Sequence, residues 1–219
     1  MARKKQKNEF VVIGLGRFGS SLALRLESLG QPVLGIDIDP RKVKEIAGDI
    51  TEALVLDALD VDALMEADIT SFQTAVIAIS DDFETNALIT TSLKELGISH
   101  IFCQARSKRH QEILLRIGAE RVIIPTEEAG SQLADELSIP GMLERLSLSP
   151  DYSLIEILVP PRLINQKVEE AEKFDVTVLL ILRGSELIIT PEPGFRMNAE
   201  DILVVVGEKG HLAEFSSLV

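Results

Sequence analysis

Three glycines stand at the spacing G-x-G-x-x-G in Phe10-Val-Val-Ile-Gly-Leu-Gly-Arg-Phe-Gly-Ser-Ser21, directly after an apolar run. Each has its own physical task. Gly14 permits a tight turn after a strand, Gly16 lets the backbone approach a phosphate, and Gly19 lets the next helix pack on the strand. The start of that helix offers unpaired N–H groups and a partial positive charge to an anion. Asp37 ends the second apolar run, with Asp39 two positions later, close to the offset of about 20 residues at which a carboxylate takes ribose hydroxyls. Paired carboxylates also repel a 2′-phosphate, so NADP is disfavoured while ATP, ADP and NAD remain. Arg17 lies inside the loop, either as a phosphate contact for its own or a neighbouring subunit or as a plain surface arginine. Asp57 closes the third apolar run and suits either an adenosine contact or a turn and helix cap within Asp57-Ala-Leu-Asp60.

The residues for turnover are missing from this pattern. A dehydrogenase needs an acid or base beside the nicotinamide. The three histidines, His100, His110 and His211, stand at a strand start, a helix start and near the end of the chain, none with an obvious carboxylate to orient it. There is no Tyr-x-x-x-Lys, no G-x-S-x-G and no Cys/His cluster, and the single tyrosine, Tyr152, falls between domains. Cys103 sits in an apolar run and reads as an inert core thiol. The pattern is a cofactor pocket without a catalytic set: a ligand-binding protein, with a small NAD-linked oxidoreductase as the alternative.

Elements to position these residues are legible. Runs at 9–13, 33–37, 53–56, 75–79, 101–105 and 121–124 are mostly apolar without clean alternation, as strands buried on both faces of a parallel sheet are. Between them, 19–29, 41–47, 60–66, 81–96 and 110–117 carry apolar residues at helical spacing. Asp81-x-x-Glu84 reads as a capping box, and Gly30, Gly97 and Gly118 follow helices as C′ residues do. Such alternation implies a doubly wound sheet with right-handed crossovers. After Pro125 the spacing predicts a helix over 126–137, a break at Ile139-Pro-Gly141 and a short helical piece over 142–146. Strands are expected at 154–159, 177–182, 187–190 and 202–206, a short helix at 168–174 and a hairpin turn at Arg183-Gly-Ser-Glu186. The fold class is α/β: a Rossmann-like doubly wound parallel sheet over 8–125, linker helices over 126–147, and a small α+β domain over 148–219.

Composition sets the outer bounds. The chain of 219 residues has 46% hydrophobic but only 4% aromatic residues, so its core is aliphatic. It lacks an apolar run of about 18 residues, the length that spans a bilayer. The basic start Ala2-Arg-Lys-Lys-Gln-Lys7 has no apolar segment behind it and is not expected to be a secretory signal. A single cysteine fits a reducing compartment. The net charge of −13 argues against binding nucleic acid. With no helix-turn-helix signal at either end, it also disfavours a nucleotide-sensing transcription regulator.

Several stretches together carry a resemblance: "VIGLGRFGSSLA", "GIDIDPRKV", "VLDALD", "AVIAIS", "LKELGI", "RIGAERVIIP" and "EDILVVVGEKGHLAEF". Over roughly residues 8–218 the chain resembles the cytosolic regulatory subunits of Ktr/Trk-type potassium uptake systems. These pair an RCK N-terminal domain (for regulator of potassium conductance) with an RCK C-terminal domain. The resemblance implies ATP, ADP or NAD(H) in the glycine-loop pocket, and an integral membrane potassium transporter subunit as partner. It further implies a homodimer building an octameric ring, a cytoplasmic place at the inner face of the membrane, and gating of ion flux by nucleotide exchange. Gly14, Gly16 and Gly19 match the phosphate loop and Arg17 the arginine on ATP phosphates. Asp37 matches the ribose acid, Asp57 the adenosine-side acid, and Phe18, Asp39, Ala78 and Arg106 complete the expected pocket. Ktr-type members often carry a lysine where Gln104 stands, and Arg106 is the substitute cation. They often carry a glutamate where Thr126 stands, which helps bind a divalent or monovalent cation with ATP. Glu127 or Glu128 either replaces it, Glu127 being the metal candidate, or serves the helix N-terminus electrostatically. The acidic run Glu169-Glu-Ala-Glu-Lys-Phe174 departs from the cyclic-di-AMP-binding pattern, so that ligand is not expected.

Overall fold

The computed structural model describes residues 10–138 and 141–217. The basic arm, Glu9 and the Ile139-Pro140 part of the break lie outside the described residues. Two compact units divide the chain, the first ending at Thr126 and the second beginning at Glu127.

In the first unit, β1 (Phe10–Ile13), β2 (Val33–Asp37), β3 (Glu52–Val55), β4 (Thr74–Ile77), β5 (His100–Gln104) and β6 (Arg121–Ile123) form one parallel sheet in the order β3-β2-β1-β4-β5-β6. The crossovers are α1 (Arg17–Ser28), α2 (Pro40–Ile46), α3 (Val61–Glu66), α4 (Phe83–Glu95) and α5 (Lys108–Ile117). Successive side chains of β1 serve opposite cores. Val11 and Ile13 pack with Leu64 of α3, Ile89 and Leu93 of α4 and Leu114 of α5. Val12 packs with Ala23 of α1 and with Val43 and Ile46 of α2. A strand that feeds two cores has no polar face to alternate with, which is why the sequence shows unbroken apolar runs. Winding reverses between β1 and β4, and a crevice opens at the carboxyl ends of the strands at such a switch point.

Side chains cap the starts of four helices: Asp39 for α2, Asp60 for α3, Asp82 for α4 and Ser107 for α5. The cap of α4 is therefore Asp82 rather than Asp81. It accepts the Thr85 N–H at 3.1 Å and the Thr85 hydroxyl at 2.7 Å, so the helix begins one residue beyond the expected box. Gly30, Gly97 and Gly118 follow α1, α4 and α5 with positive φ.

Helix α6 (Pro125–Ser138) leads into the second unit, with β7 (Met142–Ser147), β8 (Tyr152–Leu158), α7 (Val168–Glu172), β9 (Val176–Arg183), β10 (Glu186–Ile189), β11 (Ile202–Glu208) and α8 (Lys209–Ser216). Its antiparallel sheet runs β10-β9-β11-β8-β7. Ile155, Ile157, Val178, Ile181, Leu203 and Val205 form a core with Val168 and Ala171 of α7 and Leu212 and Phe215 of α8. Residues 142–147 are a strand, not the expected helical piece. Met142 turns into the core while pairing with β8, and a register shift between Met142 and Glu144 breaks the alternation that would have marked a strand. Gly184 takes φ +61 at the first central position of the Arg183–Glu186 hairpin, where a two-residue turn calls for glycine. An ion pair anchors this unit. Arg183 holds Asp201 through Nε at 2.8 Å and Nη2 at 2.7 Å, and the Asn198 N–H adds a third donor at 2.7 Å.

Candidate nucleotide site

Gly14 follows β1, Asp37 ends β2, and Asp57, Ala78 and Arg106 follow β3, β4 and β5. A parallel sheet sets all of these positions on its carboxyl edge. Hydrogen bonds knit the strand ends: Gly14 N to Ile36 O at 2.7 Å, Ala78 N to Ile13 O at 2.7 Å and Leu56 N to Asp37 O at 3.2 Å.

The three glycines differ in what requires them. Gly14 has φ +97, and a Cβ there would stand 2.9 Å from Ile79 Cγ1 and 3.0 Å from Ala78 O. At Gly19 a Cβ would fall 1.8 Å from Gly14 O. Both are demanded by the turn and by the seating of α1. Gly16 is not: its φ of −73 and ψ of −173 suit any residue, and no atom lies within 4 Å of an added Cβ. Gly16 therefore leaves open space beside the start of α1, space that a Cβ would enter. The first N–H groups of a helix have no intrahelical partner, and in α1 no capping side chain takes them either. Arg17 is exposed and makes no side-chain hydrogen bond or ion pair with the described residues, and Phe18 beside it is half-buried.

Asp37 is buried, and its carboxylate faces the loop. Oδ2 accepts the Leu15 N–H at 2.7 Å, Oδ1 accepts the Asp39 N–H at 2.9 Å, and the Lys42 ammonium lies 3.0 Å from Oδ2 and 3.4 Å from Oδ1. The structure thus ties the end of β2 to the loop after β1. Asp39 has another role. It caps α2 and grips the Arg41 guanidinium at 2.8 and 3.1 Å. The hydrogen bonds from the Arg41 side chain and backbone pull its carboxyl down to about 2. Each of these two carboxylates after β2 therefore carries a cation, so they would repel a 2′-phosphate less than bare charges would.

Asp57 is exposed and accepts the Leu59 N–H at 3.0 Å, a turn contact; it also lines a groove with Leu54, Asp60 and Glu66. Arg106 pairs loosely with Asp81 at 3.4 Å, both side chains largely exposed. Glu127 is exposed in the first turn of α6. Among the described residues no three His, Cys, Asp or Glu side chains gather as a metal-binding group.

His100 does have a carboxylate partner, contrary to expectation: its Nδ1 lies 2.6 Å from Glu120 Oε2. That pair sits at the start of β5, on the edge opposite the crevice. His110 stacks on Phe83 with centroids 4.2 Å apart. Burial pushes the Cys103 thiol up to about 11, against the opposing hydrogen bond with Thr90. Two residues of the site escaped the sequence reading. One is Lys42. The other is Asn86, whose buried amide donates to Ile79 O at 2.6 Å and to Gln104 O at 2.9 Å, joining the ends of β4 and β5. The available signal was a polar amide at helical spacing with Ile89, Thr90 and Leu93, on the buried side of α4.

The TrkA-N domain model matches residues 10–125 and the TrkA-C domain model residues 153–219. Ktr system potassium uptake protein A of Bacillus subtilis is 33% identical over 99% of both chains. Ktr system potassium uptake protein C of the same organism is 32% identical over 97% of this chain and 98% of that one. Among solved structures, the GsuK RCK domain superposes with a TM-score of 0.68 at 16% identity, over 100% of this chain and 49% of that one. The GsuK channel bound to NAD gives 0.68 at 15% identity, over 99% and 40%. GsuK bound to ADP gives 0.51 at 15% identity, over 59% and 34%. This chain thus spans half or less of the GsuK chains, and at such identity the likeness is one of fold. With both domain models matched in order and two near-full-length relatives above 30% identity, the chain belongs to the family of Ktr/Trk-type potassium uptake regulatory subunits, a TrkA-N domain followed by a TrkA-C domain.

Proposed function

We propose that this chain is a nucleotide-sensing regulatory subunit that gates a membrane potassium transporter, with ATP and ADP competing for the crevice of its first unit and NAD(H) binding there more weakly. One observation carries the ligand: of the three loop glycines, Gly16 is the one that neither backbone nor packing requires, and it stands at the uncapped start of α1 beside the loop that Asp37 ties down. The names of the Ktr relatives support the potassium system, and the GsuK structures named for NAD and ADP support the ligand class. No helix among the described residues is long and apolar enough to cross a membrane, which fits a separate transporter subunit as partner. Homodimers arranged as a ring at the inner face of the membrane would carry the response.

The roles divide by chemistry. Backbone N–H groups of the first turn of α1 hold phosphate oxygens, and Asp37 takes ribose hydroxyls. ATP and ADP share everything but the γ-phosphate, so discrimination rests on a cation near the loop. Among the described residues near the loop, Arg17 is such a cation, with no side-chain hydrogen bond or ion pair. A charge-assisted hydrogen bond of about 1.5–3 kcal/mol covers an allosteric coupling of about 1–3 kcal/mol. The test is to identify the nucleotide that co-purifies with the chain and then titrate ATP, ADP, NADH and NADPH by calorimetry. ATP or ADP binding tightest is the expected result; a folded chain that binds none of the four overturns the reading.

A further inference from the structure

We infer that Lys42 sets specificity at the ribose end of the crevice, opposing ligands with a free 2′,3′-diol and favouring ligands with a 2′-phosphate. This rests on the nucleotide reading above. The Asp37 side chain is only 5% exposed, and an ionised carboxylate offers about four lone-pair sites. Two go to backbone donors, Leu15 N and Asp39 N, which belong to the loop and to the turn into α2 and stay as long as the fold stays. Lys42 holds the remaining capacity, with its ammonium between the two oxygens. A ribose diol needs that same capacity. It binds Asp37 only by displacing the ammonium, so the chain competes with its own ligand.

The two classes of ligand meet this lysine with opposite sign. Lys42 is 43% exposed along its side chain and can swing away on a flexible stem. Beside a diol it leaves Asp37 for solvent and gains no partner. Beside a 2′-phosphate it leaves Asp37 for a stronger anion. Arg41 is forked to Asp39 on an exposed side chain and does not touch Asp37. Among the described residues Lys42 is the cation that lies on Asp37 itself.

The experiment uses the full chain with Lys42→Met and Lys42→Arg, thermal melting to confirm folding, and calorimetric affinities for NADH and NADPH. Lys42→Met should bind NADH about 2- to 5-fold tighter, the scale of an exposed ion pair, and NADPH about 10-fold weaker, the scale of a lost charge-assisted contact. The NADH-over-NADPH preference then rises about 20-fold or more. Lys42→Arg should keep the wild-type ratio. An equal change for both nucleotides, no change for either, or an arginine variant that behaves like methionine overturns the assignment. If wild type binds none of ATP, ADP, NADH and NADPH, the nucleotide reading fails and Lys42 with it; if wild type binds ATP or ADP but neither dinucleotide, or binds NADH but the ratio stays put in Lys42→Met, the Lys42 assignment fails alone.

Discussion

Gly16→Ser should make the protein slightly more stable and yet remove its ligand. The backbone at this position has the extended conformation of an N-cap, with φ −73 and ψ −173, and nothing within 4 Å of a new Cβ. Serine is the better cap by a few tenths of a kcal/mol, worth about 1 °C in a chain of this size. The hydroxyl gains that energy by taking an N–H of the first turn, one of the donors a phosphate would use, while the Cβ enters the open space. Losing one charge-assisted hydrogen bond of about 1.5–3 kcal/mol weakens binding about 10- to 150-fold. At ADP 100-fold above the wild-type Kd, wild type gains about 2.7 kcal/mol. A variant 100-fold weaker gains about 0.4 kcal/mol. Thermal melting with and without ADP reads both effects in one experiment. A variant that keeps the full ADP shift would remove Gly16 from the site, and one that melts far lower without ligand would show that the fold needs this glycine. Gly19→Ala is the contrast: its Cβ at 1.8 Å from Gly14 O forces α1 off the sheet, so stability should drop by about 1–3 kcal/mol with or without nucleotide.

Arg17→Ala should still bind ADP but lose most of the difference between ATP and ADP, in calorimetry or in transporter flux; a full difference in the variant would shift attention to Arg106. Asp37→Ala leaves Leu15 N without its buried acceptor, costing about 1–3 kcal/mol of stability, and should weaken ligands with a free ribose diol about 10-fold or more; unchanged ADP affinity would refute the ribose role. In the second unit, burial alone would raise the carboxyl of Asp201, but the hydrogen bonds from Arg183 and Asn198 N–H and the charge of Arg183 outweigh it and hold it below the usual range. The stabilisation is therefore full above the unfolded pKa of about 3.9 and is lost as pH falls through the lower folded value. Arg183→Met should cost about 2–3 kcal/mol at pH 7, less than a fully buried pair because the Arg183 side chain is 33% exposed. That cost should shrink below pH 4 as the stranded carboxylate protonates, and urea titrations that show a pH-independent cost would contradict it. Cys103, buried with its thiol near 11, should resist alkylation in the native chain and react at once in denaturant; rapid native labelling would contradict the burial.

The sheet of the first unit was legible because its inner strands β1, β2, β4 and β5 feed two cores, and a doubly buried strand declares itself as an uninterrupted apolar run. The loop was legible because glycine is costly and three of them at fixed spacing need a reason. Strand β7 was not. Leu143 and Leu146, three apart, imitate a helical stripe, and only the pairing of Met142–Ser147 with β8 makes a strand of them. Helix α8 was missed for a similar reason: eight residues with Gly210 near its start carry little local preference, and it is the burial of Leu212 and Phe215 that secures it. At the site, Gly14, Gly19 and Asp37 stood out by spacing, and the structure sets them at one loop–strand junction, but their partners were invisible. Lys42 meets Asp37 from the next helix and Asn86 reaches carbonyls of two strands, and both relations exist only once the chain has folded.

Asn86 has a consequence for the whole crevice. The carboxyl edge of a parallel sheet ends in carbonyl oxygens, and bare ones would confront an incoming polyanion with a row of negative ends. Here that row is quenched. The oxygens of Ile13, Ile36 and Asp37 are taken by Ala78, Gly14 and Leu56 N–H, and those of Ile79 and Gln104 by the two amide hydrogens of Asn86. With these rim oxygens already engaged, fewer bare carbonyls oppose the positive end of α1 at the mouth. Attraction for phosphate is thus prepared as much by silencing the groups that would oppose it as by placing those that favour it. Asn86 does this from inside a helix, buried to 1% exposure.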